Sequence, residues 1–402
     1  MAIRFPPSLL LFASLLLAAA LSTSSANYFH LRVGHDATAA SKHATTSAPQ
    51  LPVFFFHGVT SNASAGANFE KNLTAEGRVF TALSFCIEKC SGGPLKDQVQ
   101  LAITQIRSVI NANPKAYVNG YIFVGHSQGG AIARAVVEEM DDHSVKMLVS
   151  LAGAQNGIFY GPQQSDLIPT LAFIKRIGPN VVPLALFNFS KYASSPTYLA
   201  GKFQFDFNEM VFEQKELQAK VSVINLARSP VAEPWVESNP FLPNLNNIYP
   251  CEVEAQNNGN GGAKLVNTCK ADQERRRRNF LKLQSAHFFG SSGDDVIAPW
   301  QSSILGKYQD VLCASQIRDD FTDFKVISMA ETMEYKRNTY GLKTLEKREG
   351  LFLHAVPKIA HSCWVGDSTP MNSTTPCLFK PVYEQHVYPL FKQADAVNCH
   401  QQ

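Results

Sequence analysis

The sequence predicts an α/β domain built on a mostly parallel sheet, with a long inserted region. Short apolar runs, typical of strands buried on both faces, alternate with segments whose apolar residues recur at helical spacing. This alternation implies right-handed crossovers between parallel strands. From about residue 156 to about 275 it stops, and the chain is rich in Pro, Phe, Asn and Tyr. We therefore expect one sheet-and-helix core interrupted by a cap.

The elements before the insertion can be assigned in order. The predicted strands are Leu51–Phe56, Arg78–Phe85, Tyr121–Val124 and Val145–Leu151, and the predicted helices are Leu95–Ala112 and Gly129–Met140. Pro114 follows the first helix, as expected near a helix end. After the insertion, the pattern resumes at Phe280–Phe289 and continues through Leu351–Val356.

The N-terminus has the pattern of a secretory signal peptide. Arg4 precedes an apolar run over Leu9–Leu21, and small residues end at Ala26. A membrane anchor is the competing interpretation, but the run is shorter than the roughly 20 residues that span a bilayer. We expect a signal peptide over 1–26, a tether over 27–50, the folded domain over 51–400 and no transmembrane segment.

The cysteines support an exported protein. There are eight, and after a signal peptide disulfides are the usual outcome. Close spacing makes Cys86–Cys90, Cys251–Cys269 and Cys363–Cys377 plausible pairs, although spacing alone leaves the connectivity open. No cysteine or histidine cluster has zinc spacing, so no metal is expected. Four Asn-x-Ser/Thr sequons are consistent with glycosylation in the secretory pathway; they are Asn62, Asn72, Asn188 and Asn372.

Charge gives no indication of a nucleic-acid partner. The net charge is +3, and the one basic run, Arg275–Arg278, is short. We expect this run to be a solvated surface segment; a processing site for a basic-specific protease is the alternative.

The segment Tyr121–Met140 carries the main chemical signal. A predicted buried strand runs into Gly125-His126-Ser127-Gln128-Gly129 and then into a helix, as in the nucleophile elbow of serine hydrolases. Such a turn exposes the serine hydroxyl above the sheet at a helix N-terminus, where the backbone favours negative charge. A side chain at either glycine would clash with the neighbouring strand and helix. Ser127 is therefore the predicted nucleophile of an α/β-hydrolase fold.

Acyl transfer also requires N–H donors for the oxyanion. In this fold one donor is the amide after the nucleophile, here Gln128, and the other follows an early strand. Phe56-His57-Gly58-Val59 ends the first predicted strand, so the Val59 amide is the second candidate. His57 is expected to shape the loop, since the fold places its base last.

The acid and base should follow in the order Asp or Glu, then His. Asp294 and Asp295 lie just past a predicted strand, and composition does not separate them. His361 follows Leu351–Val356 by a few residues and is the best base candidate. The reserve is His386; His354 lies within a strand pattern and His400 in the tail.

Three other functions are the alternatives to a thioesterase: an oxygen-ester hydrolase, a non-catalytic binding protein and a cysteine hydrolase. A lipase or carboxylesterase would need the same apparatus, and a non-catalytic binding protein would need a broken triad. Cys363 lies close to His361 and could serve a cysteine hydrolase, but a disulfide with Cys377 is the simpler interpretation.

These residues resemble the palmitoyl-protein thioesterase family, most closely its second lysosomal branch. The resemblance covers about Leu51 to Leu390. Its markers are HGV at His57–Val59, GHSQGG at Gly125–Gly130, MDDHSVKMLVSL at Met140–Leu151, RRRRNFLKL at Arg275–Leu283, GDDVIAPWQSS at Gly293–Ser303, YGLKTL at Tyr340–Leu345 and IAHSCW at Ile359–Trp364. The GHSQGG element is shared with lipases, whereas DDVIAPWQSS and GLKTL are more specific.

The resemblance implies Ser127 as nucleophile, His361 as base and Asp294 as acid, with oxyanion amides at Val59 and Gln128. It implies hydrolysis of long-chain acyl thioesters, from S-acylated proteins or acyl-CoA, in lysosomes. We expect no cofactor, and we expect the protein to enter the secretory pathway and to reach a lysosome or vacuole or the outside of the cell.

The insertion at 156–275 matches the family less well than the core does. Its aromatic residues could line an acyl groove, but core packing is expected for most of them. Phe203, Phe205 and Phe207 alternate and also suit one face of a short strand. The aromatic residues in question are Phe187, Phe189, Tyr192, Phe203, Phe205, Phe207 and Phe212.

Overall fold

The computed structural model describes residues 50–193, 200–251, 254–257, 263–266, 268–370 and 373–399. The predicted signal peptide at 1–26 lies outside the described residues, as do the tether except for Gln50, the sequon Asn372 and His400. No helix in the described part of the chain has the length and apolar character needed to cross a bilayer.

The described residues form ten strands, and six of them make up the central sheet. In chain order the strands are β1 (Val53–Phe56), β2 (Phe80–Ala82), β3 (Tyr121–His126), β4 (Val145–Leu151), β5 (Glu254–Asn257), β6 (Ala263–Val266), β7 (Ser285–Gly290), β8 (Lys307–Tyr308), β9 (Val326–Ile327) and β10 (Leu351–Ala355). The central sheet has the order β10-β7-β4-β3-β1-β2, and every neighbouring pair is parallel. The α/β-hydrolase prediction is confirmed.

Helices cover the sheet and fill the insertion. They are α1 (Ala67–Ala75), α2 (Leu95–Ala112), α3 (Pro114–Tyr117), α4 (Gln128–Glu139), α5 (Leu167–Ala172), α6 (Gly178–Val181), α7 (Ser190–Ala193), α8 (Lys202–Glu213), α9 (Lys215–Lys220), α10 (Ser222–Asn225), α11 (Ala232–Ser238), α12 (Leu242–Leu245), α13 (Thr268–Phe280), α14 (Ser315–Asp319), α15 (Met333–Lys336), α16 (Leu342–Lys347), α17 (Phe379–Val382) and α18 (Tyr388–Cys399). The predicted helix Leu95–Ala112 and strand Val145–Leu151 have the predicted bounds.

Strand β1 is apolar throughout because both of its faces are covered. Phe54 and Phe56 pack into the cluster that contains residues of α2 and α4. Phe55 points to the opposite face, where it packs with residues of α1 and α18. Successive side chains of a strand alternate between faces, so a central strand needs apolar residues at every position.

Between β4 and β7 the described residues add no strand to the central sheet; β5 and β6 pair only with each other. The strand alternative for Phe203, Phe205 and Phe207 is wrong: they lie on α8, which follows Gly201 in a left-handed conformation (φ +84). Phe203 and Phe207 stack one helical turn apart, whereas Phe205 belongs to a different cluster. The cap boundaries at about 156–275 stay a prediction.

The basic run is not a solvated segment. Arg275 lies on α13 and forms ion pairs with Glu139, Asp141 and Asp272. Arg276 is only 6% exposed and also contacts Asp272. The acidic residues at the end of α4 therefore hold α13 against the core, and this explains why arginines are buried here.

The three close-spaced cysteine pairs are present as disulfides, which confirms that part of the prediction. Since Cys363 is bonded to Cys377, it is not a free nucleophile. Cys313 is exposed and carries a free thiol.

Arg78 connects the two ends of the described chain. Its side chain is fully buried and forms two hydrogen bonds with Asp395 on α18, at 2.6 and 3.0 Å, and one with the Leu51 carbonyl. Asp395 also accepts from the Leu51 amide at 2.9 Å. The guanidinium thus fixes α18 beside the start of β1.

We predict that Arg78→Met lowers the free energy of unfolding by about 3–5 kcal/mol, because Asp395 is left buried without its counter-charge. Urea unfolding followed by circular dichroism measures the change. Arg107→Met is the matched control, since Arg107 pairs with Asp142 with both side chains about half exposed. Its expected cost is under about 1 kcal/mol. Equal losses in the two variants would contradict the role given to burial.

Candidate active site

Ser127 stands at the turn between β3 and α4. Its backbone is in an unusual conformation for a non-glycine residue (φ 58, ψ −130), and it forms the N-cap of α4. The Ser127 amide donates to the Leu151 carbonyl at 3.0 Å, which ties the turn to β4. The geometry is that of the predicted nucleophile elbow.

Two glycines allow this turn to form. A Cβ on Gly125 would lie 2.4 Å from the Gly129 carbonyl oxygen, and a Cβ on Gly129 would lie 2.3 Å from the Phe56 carbonyl oxygen. Both distances are far below normal contact. Strand β3, helix α4 and the end of β1 therefore pack backbone against backbone around Ser127, as the sequence analysis expected.

The loop after β1 borders the same serine. A Cβ on Gly58 would lie 3.1 Å from the Ser127 Cβ, so the backbone of this loop passes close to Ser127. Among the described residues, the backbone N–H groups of Val59 and Gln128 form no hydrogen bond of the turn, loop or cap type with a backbone carbonyl. The Gln128 amide is at the first position of α4, where helix N–H groups lack intrahelical partners.

His57 and the Gln128 side chain support this loop. His57 is buried, stacks on Phe85 at 4.9 Å and contacts the Gly58 carbonyl at 2.9 Å. Burial lowers the pKa of His57, which keeps it neutral. The side-chain Nε2 of Gln128 donates to the Ser91 carbonyl at 2.8 Å and to Gln98 Oε1 at 3.0 Å.

Asp294 and His361 meet at the carboxyl ends of β7 and β10. His361 Nδ1 lies 3.1 Å from Oδ1 and 3.0 Å from Oδ2 of Asp294. The same carboxylate accepts the amides of Val296 and Ile297, both at 2.9 Å. The structure therefore separates the two neighbouring aspartates: Asp294 contacts the imidazole, whereas Asp295 accepts from the His361 backbone amide at 3.1 Å.

The protonation of His361 is set by opposing effects. Burial alone would lower the pKa of its imidazole, but the charge and hydrogen bond of Asp294, with the charge of Asp295, raise the pKa above its ordinary value. Asp294 also fixes the tautomer, because Nδ1–H must donate to the carboxylate. Nε2 is then the ring nitrogen left to accept a proton.

Sequence reasoning missed two residues that position this pair. His126 Nε2 donates to the His361 carbonyl at 2.9 Å, and burial together with the nearby His361 lowers the pKa of His126 to about 3. The Ser291 hydroxyl accepts the amides of Gly293 and Ile359, at 3.0 and 2.8 Å, and so joins the two loops. The His126–His361 and Ser291–Ile359 contacts have no local sequence signal, since each joins segments that are far apart in the chain.

The reserve candidate His386 and the weaker candidate His354 lie elsewhere. His354 is on β10 and stacks on Phe289 at 4.1 Å. His386 lies in a π-helical turn, Tyr383–Val387. Neither lines the cavities that contain Ser127.

Ser127 lines two connected spaces, which share Val59, Ile177 and Val296. The first, here called the apolar cavity, lies between the core and the insertion. The second, here called the outer cleft, contains His361, His126 and Gly58 and is bordered by Arg176 and Asn180. Aromatic residues line much of the apolar cavity: Phe159, Tyr160, Phe173, Phe203, Phe207, Phe212 and Trp235.

Residues 52–361 match the family model described as palmitoyl protein thioesterase, and this range includes Ser127, Asp294 and His361. The chain belongs to this family. It is therefore an enzyme, a hydrolase of the thioester and ester class, and the resemblance stated from the sequence motifs is confirmed.

Curated relatives agree with this membership. Lysosomal thioesterase PPT2-B of Xenopus laevis is 26% identical over 269 residues, which cover 66% of this chain and 72% of that protein. Human lysosomal thioesterase PPT2 is 25% identical over 321 residues, which cover 79% of this chain and 84% of its own. Among solved structures, a Bacillus licheniformis lipase covers 88% of this chain and 96% of its own, with a TM-score of 0.37 and 11% identity. That likeness carries no argument about the reaction.

For this family member we predict that Gly129→Ala lowers the free energy of unfolding by about 1–3 kcal/mol, because its Cβ would overlap the Phe56 and His57 carbonyls. The sign is opposite to that expected from helix propensity, which favours Ala over Gly. Gly92→Ala is the control, since a Cβ there meets nothing within 4 Å. Urea unfolding of both variants measures the difference, and a stabilised Gly129→Ala would refute the close-packing argument.

Proposed function

We propose that this enzyme hydrolyses long-chain fatty acyl thioesters through an acyl-enzyme on Ser127. The observation that carries the proposal is the position of Ser127 between two spaces. The apolar cavity lies on one side, and the outer cleft, which contains His361, lies on the other. An acyl chain suits the first space and a thiol leaving group the second. The substrate would be an S-acylated protein, an S-acylated peptide or acyl-CoA, and no cofactor takes part in the mechanism.

The first half of the reaction forms the acyl-enzyme. His361 Nε2 takes the proton of the Ser127 hydroxyl as Oγ attacks the thioester carbonyl carbon. The Val59 and Gln128 amides donate to the oxyanion that forms. When the C–S bond breaks, the imidazolium returns the proton to the departing thiolate, and Asp294 stabilises the charged imidazole throughout.

The second half consumes water. His361 takes a proton from a water molecule whose oxygen attacks the acyl-enzyme carbonyl, and the imidazolium then protonates Ser127 Oγ as the C–O bond breaks. The products are a fatty acid and the regenerated serine. The net reaction is a thioester plus water giving a carboxylic acid plus a thiol.

An oxygen-ester hydrolase is the second candidate, because the three side chains do not distinguish the leaving group. A thiol of ordinary pKa near 8.5 leaves more readily than an alcohol, so a thioesterase needs less help at this step. We also propose entry into the secretory pathway and delivery to a lysosome or vacuole; three disulfides and the lysosomal relatives fit this route.

The test is steady-state hydrolysis of palmitoyl-CoA beside a matched palmitoyl oxygen ester. We expect a higher kcat/KM for the thioester, and a loss of several orders of magnitude in Ser127→Ala, about 10⁶ by analogy with other serine hydrolases. Mass spectrometry of quenched wild-type enzyme should find the acyl group on Ser127. A preference for the oxygen ester, also lost in the mutant, would assign the enzyme to the esterases. Equal rates in wild type and mutant would refute the mechanism.

The two aspartates give a sharper test of the mechanism. Asp294→Asn should lower kcat by about 10⁴, because an amide no longer fixes the tautomer or stabilises the imidazolium. Asp295→Asn keeps the imidazole contact and should cost far less. The reverse ranking would show that Asp295 is the acid.

The pH profile checks the same assignment. His361 acts as a base only when neutral, so kcat/KM should fall as the pH drops through the raised pKa, with a midpoint above 6.5. In Asp295→Asn the midpoint should move to lower pH, because one of the charges that raise the pKa is gone. An unchanged midpoint would contradict this electrostatic account.

A further inference from the structure

Helix α8 places two buried amide side chains on the wall of the apolar cavity. Gln204 and Asn208 both line this cavity and are 4% and 7% exposed. Because they are four residues apart on a helix, they lie on one face with Cβ atoms roughly 5–6 Å apart. Phe203 and Phe207, which precede them by one residue each, line the same cavity. A polar pair therefore interrupts a largely aromatic wall.

Both amides have hydrogen-bonding capacity that the protein leaves unused. Gln204 Nε2 donates to the Tyr160 carbonyl at 2.6 Å, and since a carbonyl can only accept, this bond fixes which end of the amide is oxygen. Gln204 Oε1 is buried and accepts no hydrogen bond within the described residues. Asn208 Nδ2 is likewise buried and donates to no acceptor there.

Such groups are uncommon in folded proteins. The large majority of buried polar side-chain atoms have a partner, because an unpaired one loses its hydration without compensation. The described residues hold fourteen such atoms, and two of them belong to side chains one helical turn apart, beside the space into which the acyl chain is proposed to enter. Their arrangement indicates a ligand that completes the pair.

The chemistry of the pair defines that ligand. Asn208 Nδ2 offers a donor and Gln204 Oε1 offers an acceptor. A hydroxyl group both accepts and donates, so a single oxygen about 2.9 Å from each atom would satisfy the two. A keto or ether oxygen can only accept and would leave Gln204 Oε1 unpaired. Among the described residues that line the cavity, the one arginine or lysine is Arg228, which is already paired with Glu334 at 2.8 Å and so offers no unpaired charge to a carboxylate.

We propose that the apolar cavity selects long-chain acyl groups that carry a hydroxyl on the chain, and that Asn208 and Gln204 bind this hydroxyl. The inference rests on the proposed function, in which the acyl chain occupies this cavity. The preferred substrate is then a hydroxy fatty acyl thioester, and α8 supplies the specificity.

The test compares kcat/KM for hexadecanoyl thioesters of N-acetylcysteamine that differ only in a chain hydroxyl, moved position by position. We expect at least one hydroxylated isomer to be preferred over the unsubstituted chain by about tenfold or more, a ratio typical of one or two well-formed hydrogen bonds. Asn208→Leu and Gln204→Met, which keep side-chain size, should bring this ratio close to one. The ratio is taken within one protein, so a smaller folded fraction does not affect it.

Gln214→Met is the matched control. Gln214 follows α8 directly but does not line the apolar cavity, so this variant should keep the wild-type ratio. Asn208→Leu should also keep the wild-type melting temperature or raise it, because it removes a buried amide nitrogen that has no partner. Gln204→Met should lower the melting temperature, because it also removes the hydrogen bond to the Tyr160 carbonyl. A lower melting temperature in Asn208→Leu would show that the Asn208 amide is structural.

A bridging water is the competing occupant of the pair. In that case no hydroxylated isomer is preferred in the wild type, and the proposal is overturned. Calorimetric binding of hydroxylated and unsubstituted hexadecanoic acids to Ser127→Ala separates the two proposals. A binding preference without hydrolysis in the wild type would refute the thioesterase function but keep the hydroxyl site. If the wild type hydrolyses the thioesters but prefers hydroxylated chains neither in binding nor in kcat/KM, the hydroxyl site is refuted and the thioesterase function is kept.

Discussion

The site depends on the backbone contact between α4 and the ends of β1 and β3. Side chains at Gly125 or Gly129 would hold these elements apart, whereas their absence brings the helix N-terminus beneath Ser127. The same contact fixes Ser127 in a left-handed conformation (φ 58) that a serine would not adopt alone. The strain is therefore balanced by the packing of the sheet, and the nucleophile, the Gln128 amide and the loop with Val59 share one rigid support.

The Asp294–His361 pair has a different kind of support, which consists of hydrogen bonds between loops. Asp294 is held by the amides that follow it, and Ser291 joins its loop to the one that carries His361. His126 contacts the His361 carbonyl from the nucleophile turn. Because burial opposes a charged imidazole, the nearby carboxylates are needed to keep the pKa of His361 raised. Asp294 thus both raises the pKa of His361 and accepts the amides that hold its loop in place.

Sequence patterns predicted the parts of this molecule that local constraints determine. The run Val53–Phe56, the helix Leu95–Ala112 and the elbow around Ser127 follow from burial on two faces, helical spacing and glycine placement. The choice between Asp294 and Asp295 did not, because it depends on which carboxylate faces a loop 66 residues later in the chain. Arg276 was misjudged for a related reason: its partners include Glu139 and Asn247, which are distant in the chain, as well as Asp272 on its own helix. The α8 phenylalanines alternate like a strand, but packing against the rest of the insertion decides in favour of a helix.

In the proposed function, reaction and selectivity are carried by different parts of the chain, and a buried ion pair supports the wall of the apolar cavity. Arg228, in the wall of the apolar cavity, pairs with Glu334 at 2.8 Å and stacks over Trp235 at 4.5 Å. Burial alone would raise the pKa of Glu334, but the charge and hydrogen bond of Arg228, together with the charge of Lys307 and a backbone hydrogen bond, lower the pKa below its ordinary value. The paired charges anchor the cavity wall to α15, and no other arginine or lysine of the described residues lines the cavity. Under the proposed function, this leaves an apolar space for the acyl chain beside Ser127.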